Sequence, residues 1–293
     1  MKKSNVLPQL GILLATIIWG FSFVVVKDTL NLIPPVYMTA LRFSLAAIVL
    51  AIVFHKKLKM INRKYLFSGV VLGFLLSAST AIQTVALQTT DAGVCAFLTT
   101  AYVVWSPFMA WAFFKKRPNK QCLLAVVFAV FGIGLLSLNG GFKIGYGETL
   151  TLICGVGYGL HIVFSDKFTE TQDPILISVL QMVFAGVFGW IMAPIYDGSM
   201  NLSGVIGDSQ FWIAILYIGI LSTACGFLLQ IIAQKYLSVT TTSILLTMES
   251  VFGTIFSVIF LQEVLGPKKV LGFVLMFLAV IISQVTISRK KKM

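Results

Sequence analysis

Apolar runs of about 20 residues, each closed by a short polar stretch, follow one another along the whole chain, and none alternates with a period of two. A run of that length is what an α-helix needs to cross a hydrocarbon core roughly 30 Å thick. A membrane β-barrel would instead show segments of about 10 residues alternating apolar and polar. The pattern therefore predicts an all-α membrane protein with ten spanning helices, at residues 9–27, 35–54, 65–87, 92–114, 121–138, 148–166, 174–196, 211–234, 240–262 and 268–287. The separators carry turn or charge signals, among them NLIPP, HKKLKMINRK, QTTDAG, KKRPNK, NGGFKIGYGE and LGPKK, and no soluble domain fits between them. The first run follows MKKSN, but it is long for a signal-peptide core and ends at Lys27-Asp28 without a small-residue cleavage site, so it is read as a mature span.

A repeat lies beneath this pattern. Shifting the first two spans by 139 places Trp19-Gly20 on Tyr158-Gly159, Pro35 on Pro174 and Arg42 on Gln181. Shifting the third and fourth by 147 places Gln83 on Gln230, Leu98 on Leu245 and Tyr102 on Glu249. The chain then divides into a first five-helix repeat, residues 1–142, and a second, residues 143–293. Five is odd, so the second repeat enters the membrane upside down, and a substrate site is expected near the midplane where the halves meet.

Composition agrees with the pattern: 58% of residues are hydrophobic and 11% charged, with mean hydropathy +0.96, against roughly 45–50% and 25% in soluble domains. Charge then gives orientation. With a cytoplasmic N-terminus, 17 of the 22 Lys and Arg fall on the cytoplasmic side, which puts both termini there in a multi-pass protein of the cell membrane. The basic runs abut span ends and form no folded basic face, so no nucleic-acid partner is expected. Cys95, Cys122, Cys154 and Cys225 form no CxxC pair and read as small packing residues; neither a metal nor a cofactor is indicated. An intramembrane enzyme lacks its parts: the histidines are His55 and His161, and HExxH and GxSxG are absent.

Polar residues deep in spans carry the candidate chemistry. Glu249 stands in SILLTMESVFGTIFSVIFLQE, where an ionised carboxylate costs at least about 2.5 kcal/mol unless it faces a cavity or partner. Positions 238, 242, 249, 253 and 257 share a helical face and read Ser, Thr, Glu, Gly, Ser; such a stripe serves either close helix contact or a lined cavity. Trp19, Tyr102, Trp105 and Tyr158 are candidates to line a pocket, with Gln83, Gln230 and Glu249 orienting a ligand's polar groups. Arg42 and His161 are candidate structural or coupling groups. Tyr65, Tyr196 and Trp212 sit near span ends, as an interfacial belt would.

TIIWGFSFVVVKD, ALRFSLAAIVL and MESVFGTIFSVIFLQEVLGPKKVLGFVLMFLAVII together resemble the EamA-type permeases of the drug/metabolite transporter superfamily over essentially the whole chain. The departures are Ser250 where the family often has Pro, Gln262-Glu263 where it has Gly-Glu, and Lys116 in the first-half position of Glu263. The resemblance implies alternating access around a central cavity and small metabolites as substrates, often exported amino acids, with Glu249, Arg42 and Trp19 carrying the match. The expected function is a secondary transporter exporting a small metabolite, with the bilayer and that substrate as partners and the oligomeric state left open. The alternatives are a sugar-phosphate or nucleotide-sugar exchanger of the same superfamily and a non-transporting membrane scaffold; the exchanger would want several cavity-facing cations, and only Arg42 lies well inside a span.

Overall fold

The computed structural model describes residues 6–115, 120–137, 144–200, 204–237, 242 and 245–284. Lys116, Ser238 of the polar stripe, the start of the predicted span 240–262, the 142/143 repeat boundary and the basic C-terminal tail lie outside these residues. The described chain is helical with no β-strand. The helices are α1 Val6–Thr29, α2 Pro35–Val53, α3 Arg63–Ala86, α4 Ala92–Thr99, α5 Tyr102–Phe114, α6 Lys120–Ser137, α7 Tyr146–Thr169, α8 Pro174–Tyr196, α9 Ser209–Leu216, α10 Gly226–Tyr236, α11 Met248–Leu261 and α12 Pro267–Gln284. Among the described residues, six stretches are long and apolar enough to cross a membrane: α1, α2, α3, α7, α8 and the continuous run Ser209–Tyr236.

Local chemistry sets the helix ends. Proline opens α2 and α8, where the missing N–H costs nothing. Asp173 caps α8, its Oδ1 accepting from the N–H groups of Ile175 and Leu176 at 3.0 and 3.1 Å. Pro34 cannot cap α2 with a side chain, and Asp197, just past the end of α8, does so instead: its Oδ2 accepts from Val36 and Tyr37 N–H at 2.8 and 3.0 Å. Tyr65 departs from the expected interfacial role. It is buried, and its hydroxyl accepts from the Asp173 N–H at 2.8 Å.

Two predicted spans are not continuous α-helices. The span 92–114 breaks at Thr100-Ala101 between α4 and α5. Between α9 and α10 the chain runs as a π-helix over Tyr217–Cys225, a wider turn that single functional sites often exploit.

The bundle is a membrane protein turned outward: Leu7, Ile195 and Ile213 are exposed while Arg42, His161, Gln181 and Gln230 are buried. Lipid gives helices no hydrophobic reason to associate, so close approach of small residues does the work. A Cβ at Gly73 would lie 2.6 Å from Phe184 Cβ, joining α3 to α8, and one at Gly20 would lie 2.8 Å from the Gly253 nitrogen, joining α1 to α11. The stripe on α11 thus divides: Gly253 meets Ala96 and Gly20 in close contact, while Glu249 faces an internal cavity. Around that cavity α1 packs on α10 and α11, α7 on α3, α4 and α5, α2 on α8, and α6 on α12.

Candidate functional site

The cavity is built first by the π-helical segment. Its wide turn lets the Ser222 carbonyl accept the Trp19 indole N–H at 2.7 Å, and offers the Thr223 and Ser222 hydroxyls to Arg42 Nε and Nη2 at 2.7 and 3.0 Å. Thr223 in turn donates to the carbonyl of Ile218, five residues back, at 2.7 Å. Trp19 lies over Gly226, where any Cβ would fall 2.5 Å from the indole nitrogen, and tilts against Phe227 with centroids 4.9 Å apart. Arg42 is therefore a buried cation spent on two hydroxyls, and among the described residues no carboxylate lies within ion-pair distance.

The opposite wall is a hydrogen-bonded file. Tyr158 of α7 donates to Gln83 Oε1 of α3 at 3.1 Å and meets Thr80 at 3.0 Å, and Gln83 Nε2 donates to Thr99 of α4 at 3.0 Å. His161 Nε2 bonds Gln181 Oε1 at 2.9 Å and turns its ring edge-on to Phe227 at 6.0 Å.

What remains free faces the space between. Tyr102, Gln230 and Glu249 line the cavity, and among the described residues none of their side chains has a hydrogen-bond or ion-pair partner. Arg42 is a cation that lines the same cavity as Glu249. The cavity holds about 50 Å³ of open space, room for a few waters and far short of the 300–1,000 Å³ usual for a ligand pocket. A metabolite fits only if the helices part.

Of the nine residues singled out in the sequence, Trp19, Arg42, Gln83, Tyr102, Tyr158, His161, Gln230 and Glu249 line this one cavity. Trp105 does not: it is half-buried in the apolar cluster formed with Val126, Phe273 and Met276 of α6 and α12. Sequence reasoning missed Ser22, Phe23, Thr84, Thr99 and Phe227 on the cavity wall, and Ser222 and Thr223 behind it. The repeat carries a signal for Ser22, which stands 139 before His161. No group of three or more His, Cys, Asp or Glu able to hold a metal occurs among the described residues.

Comparison with known proteins gives a consistent account. The family model described as the EamA-like transporter family matches twice, at residues 7–138 and 145–284. An uncharacterized transporter of Archaeoglobus fulgidus is 28% identical over 94% of this chain and 84% of its own length. The uncharacterized transporter YoaV of Bacillus subtilis is 23% identical over 97% and 98%. A probable amino-acid metabolite efflux pump of Escherichia coli is 26% identical over 73% and 74%. One solved crystal structure has the same fold, with a TM-score of 0.68 at 14% identity over 95% of this chain and 96% of that one.

Proposed function

The chain belongs to the EamA-like transporter family, and from that premise we propose that it is a secondary transporter exporting a small amine-bearing metabolite, an amino acid or related compound, by alternating access. The observation that carries the reading is Glu249: a carboxylate inside a membrane bundle, without a partner among the described residues, facing a cavity whose wall comes from both halves of the chain. Such a group is costly in a purely structural role. A ligand ammonium offers it a counter-charge, while Trp19, Phe227 and Tyr102 supply apolar and aromatic contact. An anionic sugar-phosphate finds little here, since the lining cation Arg42 is held by Ser222 and Thr223.

Ten spans in two inverted repeats, 1–142 and 143–293, provide the motion. Several regularities support them. The two family matches fall on either side of residue 142. Prolines 139 apart open α2 and α8, and α5 and α11 end 147 apart at Phe114 and Leu261. Lys115 and Gln262, the next residues, have φ of 57° and 54°, and they are the non-glycine positive-φ residues among those described. Packing also exchanges: α1 on α10 and α11 answers α7 on α3 and α4. Both termini are cytoplasmic in this reading and the protein sits in the cell membrane, as the basic separators support.

Counterflow in proteoliposomes tests the reading. A preloaded amino acid found by thermal-shift screening drives saturable uptake of labelled ligand through the parent, and Glu249→Gln abolishes it. Unchanged transport by Glu249→Gln at every pH and concentration sinks the assignment.

A further inference from the structure

The proposed repeat makes the two ends of the cavity comparable position by position, and they are unlike. Toward the α1–α2 connection the cavity is lined by Val26 and Leu87. Beside them Lys27 Nζ donates to the Leu87 and Thr90 carbonyls at 3.1 and 2.5 Å, a cation at the C-terminal end of α3. Glu263, just beyond α11, sets one carboxylate oxygen on the Ala92 N–H at 2.6 Å and the other on the Gly93 N–H at 3.1 Å, stapling the N-terminus of α4. Asp91, next to it, pairs with Lys269 of α12. Two charged contacts thus tie the first half to the second across this mouth.

At the other end the positions equivalent to Val26 and Leu87 are Ser165 and Gln234, each one helical turn beyond a cavity-lining residue, His161 and Gln230. Both are buried, as is Thr242. Among the described residues, Ser165 Oγ, Gln234 Oε1 and Thr242 Oγ1 have no hydrogen-bond partner, and Gln234 Nε2 reaches the Ile162 carbonyl at 3.5 Å. Buried polar atoms without partners are few in native proteins, and in a bilayer each is costly; a path that fills with water or ligand satisfies them. The staple has no counterpart in the sequence here. Glu263, Asp91 and Lys269 correspond to Lys116, Ser238 and Cys122, and a lysine has no acceptor for backbone N–H groups.

We propose that ligand reaches Glu249 through the file of Ser165, Gln234 and Thr242 in the resting state, while the Glu263 staple and the Asp91–Lys269 pair hold the opposite mouth shut. This rests on the transporter reading above. With cytoplasmic termini, the polar file faces the cytosol and the staple faces outward, so the resting carrier loads from inside. Ligand binding then favours the state in which the staple is released.

Accessibility tests this without any knowledge of the substrate. Ser165→Cys and Val26→Cys are introduced separately in the full chain, in vesicles permeabilised so that a cationic methanethiosulfonate reaches both faces, and labelling is followed peptide by peptide. Ser165→Cys is expected to react at least about tenfold faster, the ratio that roughly 1.4 kcal/mol between the two conformations supplies. Adding Glu263→Gln is expected to raise the Val26→Cys rate about tenfold and to slow Ser165→Cys. Should Glu263→Gln lose its monodisperse elution profile, Asp91→Asn is read in its place. Equal rates at the two positions, a faster Val26→Cys, or a Val26→Cys rate indifferent to the staple overturns the proposal. Because labelling reads access and counterflow reads transport, any of these results leaves the carrier assignment to stand or fall on Glu249→Gln.

Discussion

Thr223→Val keeps the shape of a side chain and deletes one oxygen. That oxygen accepts from Arg42 Nε and donates to the Ile218 carbonyl, both at 2.7 Å, so it is at once the dock of the guanidinium and the brace of the π-helical turn. A hydrogen bond to a charged group contributes about 1.5–3 kcal/mol and a neutral one about 0.5–1.5 in soluble proteins, whereas membrane interiors return nearer 0.6 kcal/mol per bond. The expected loss of stability is therefore about 1–3 kcal/mol. Arg42 keeps Ser222 as its remaining partner and is freed to turn toward Glu249, which lines the same cavity. Pairing of the two occupies the carboxylate that the ligand ammonium needs. Half-saturation in counterflow is then expected to rise about tenfold, an increment of roughly 1.4 kcal/mol, with the maximal rate little changed. Melting in detergent and concentration-dependent counterflow are measured on the parent, Thr223→Val and Thr223→Ser. Serine restores the oxygen and is expected to restore both readouts. A valine variant that melts and transports as the parent refutes the argument, as does a serine variant that rescues neither.

Asp173 lies just before the first turn of α8, where burial pushes its carboxyl up but Lys57 at 2.6 Å and the α8 N–H groups outweigh burial and hold it below the ordinary carboxylate value. A depressed folded-state value means stability present above the unfolded Asp range, near 3.9, and lost as pH falls through the folded value. Asp173→Asn keeps the cap and is expected to flatten that acid loss in melting curves, while Asp173→Ala also forfeits the cap, about 1 kcal/mol; an acid profile identical to the parent in the Asn variant contradicts this. Gly20→Ala forces a Cβ to within 2.8 Å of the Gly253 backbone and is expected to cost about 1–3 kcal/mol by overpacking, seen as a lower melting point; an unchanged one means α1 and α11 are not in contact as described.

The sequence disclosed most of the frame because membrane helices announce themselves by length and apolarity, and proline at 35 and 174 marks two starts. It disclosed most of the cavity because polar side chains deep in a span have few other places to go, as Gln83, His161, Gln230 and Glu249 illustrate. What stayed hidden depends on backbone geometry. Thr100-Ala101 contains neither Gly nor Pro, yet α4 ends there, and nothing in TAC marks the π-helical turn that docks Arg42. Trp105 is, like Tyr102, an aromatic residue within a predicted span, but the three-residue step between them falls about 60° short of a full turn. That is enough to send Trp105 toward α6 and α12 while Tyr102 faces inward. Glu263 looked like a span end; only the fold brings it to the N-terminus of α4.

In the proposed repeat, matched positions have taken unlike tasks, and the physics of the cavity explains why. Two ionised carboxylates in one small, low-dielectric space repel each other, so an acid at 249 is compatible with a phenol, not a second acid, at 102. Gln83 is fixed by Tyr158 and Thr99, whereas its mate Gln230 has no side-chain partner among the described residues. Arg42 is docked across halves, whereas its mate Gln181 holds His161. Gln83 and Arg42 of the first half therefore form a braced wall, whereas Gln230 and Glu249 of the second half, like Tyr102 of the first, keep unspent polar groups. A ligand that engages Gln230 and Glu249 stabilises whichever arrangement of the halves brings them closest to the braced wall, and that difference in binding between arrangements is what alternating access requires.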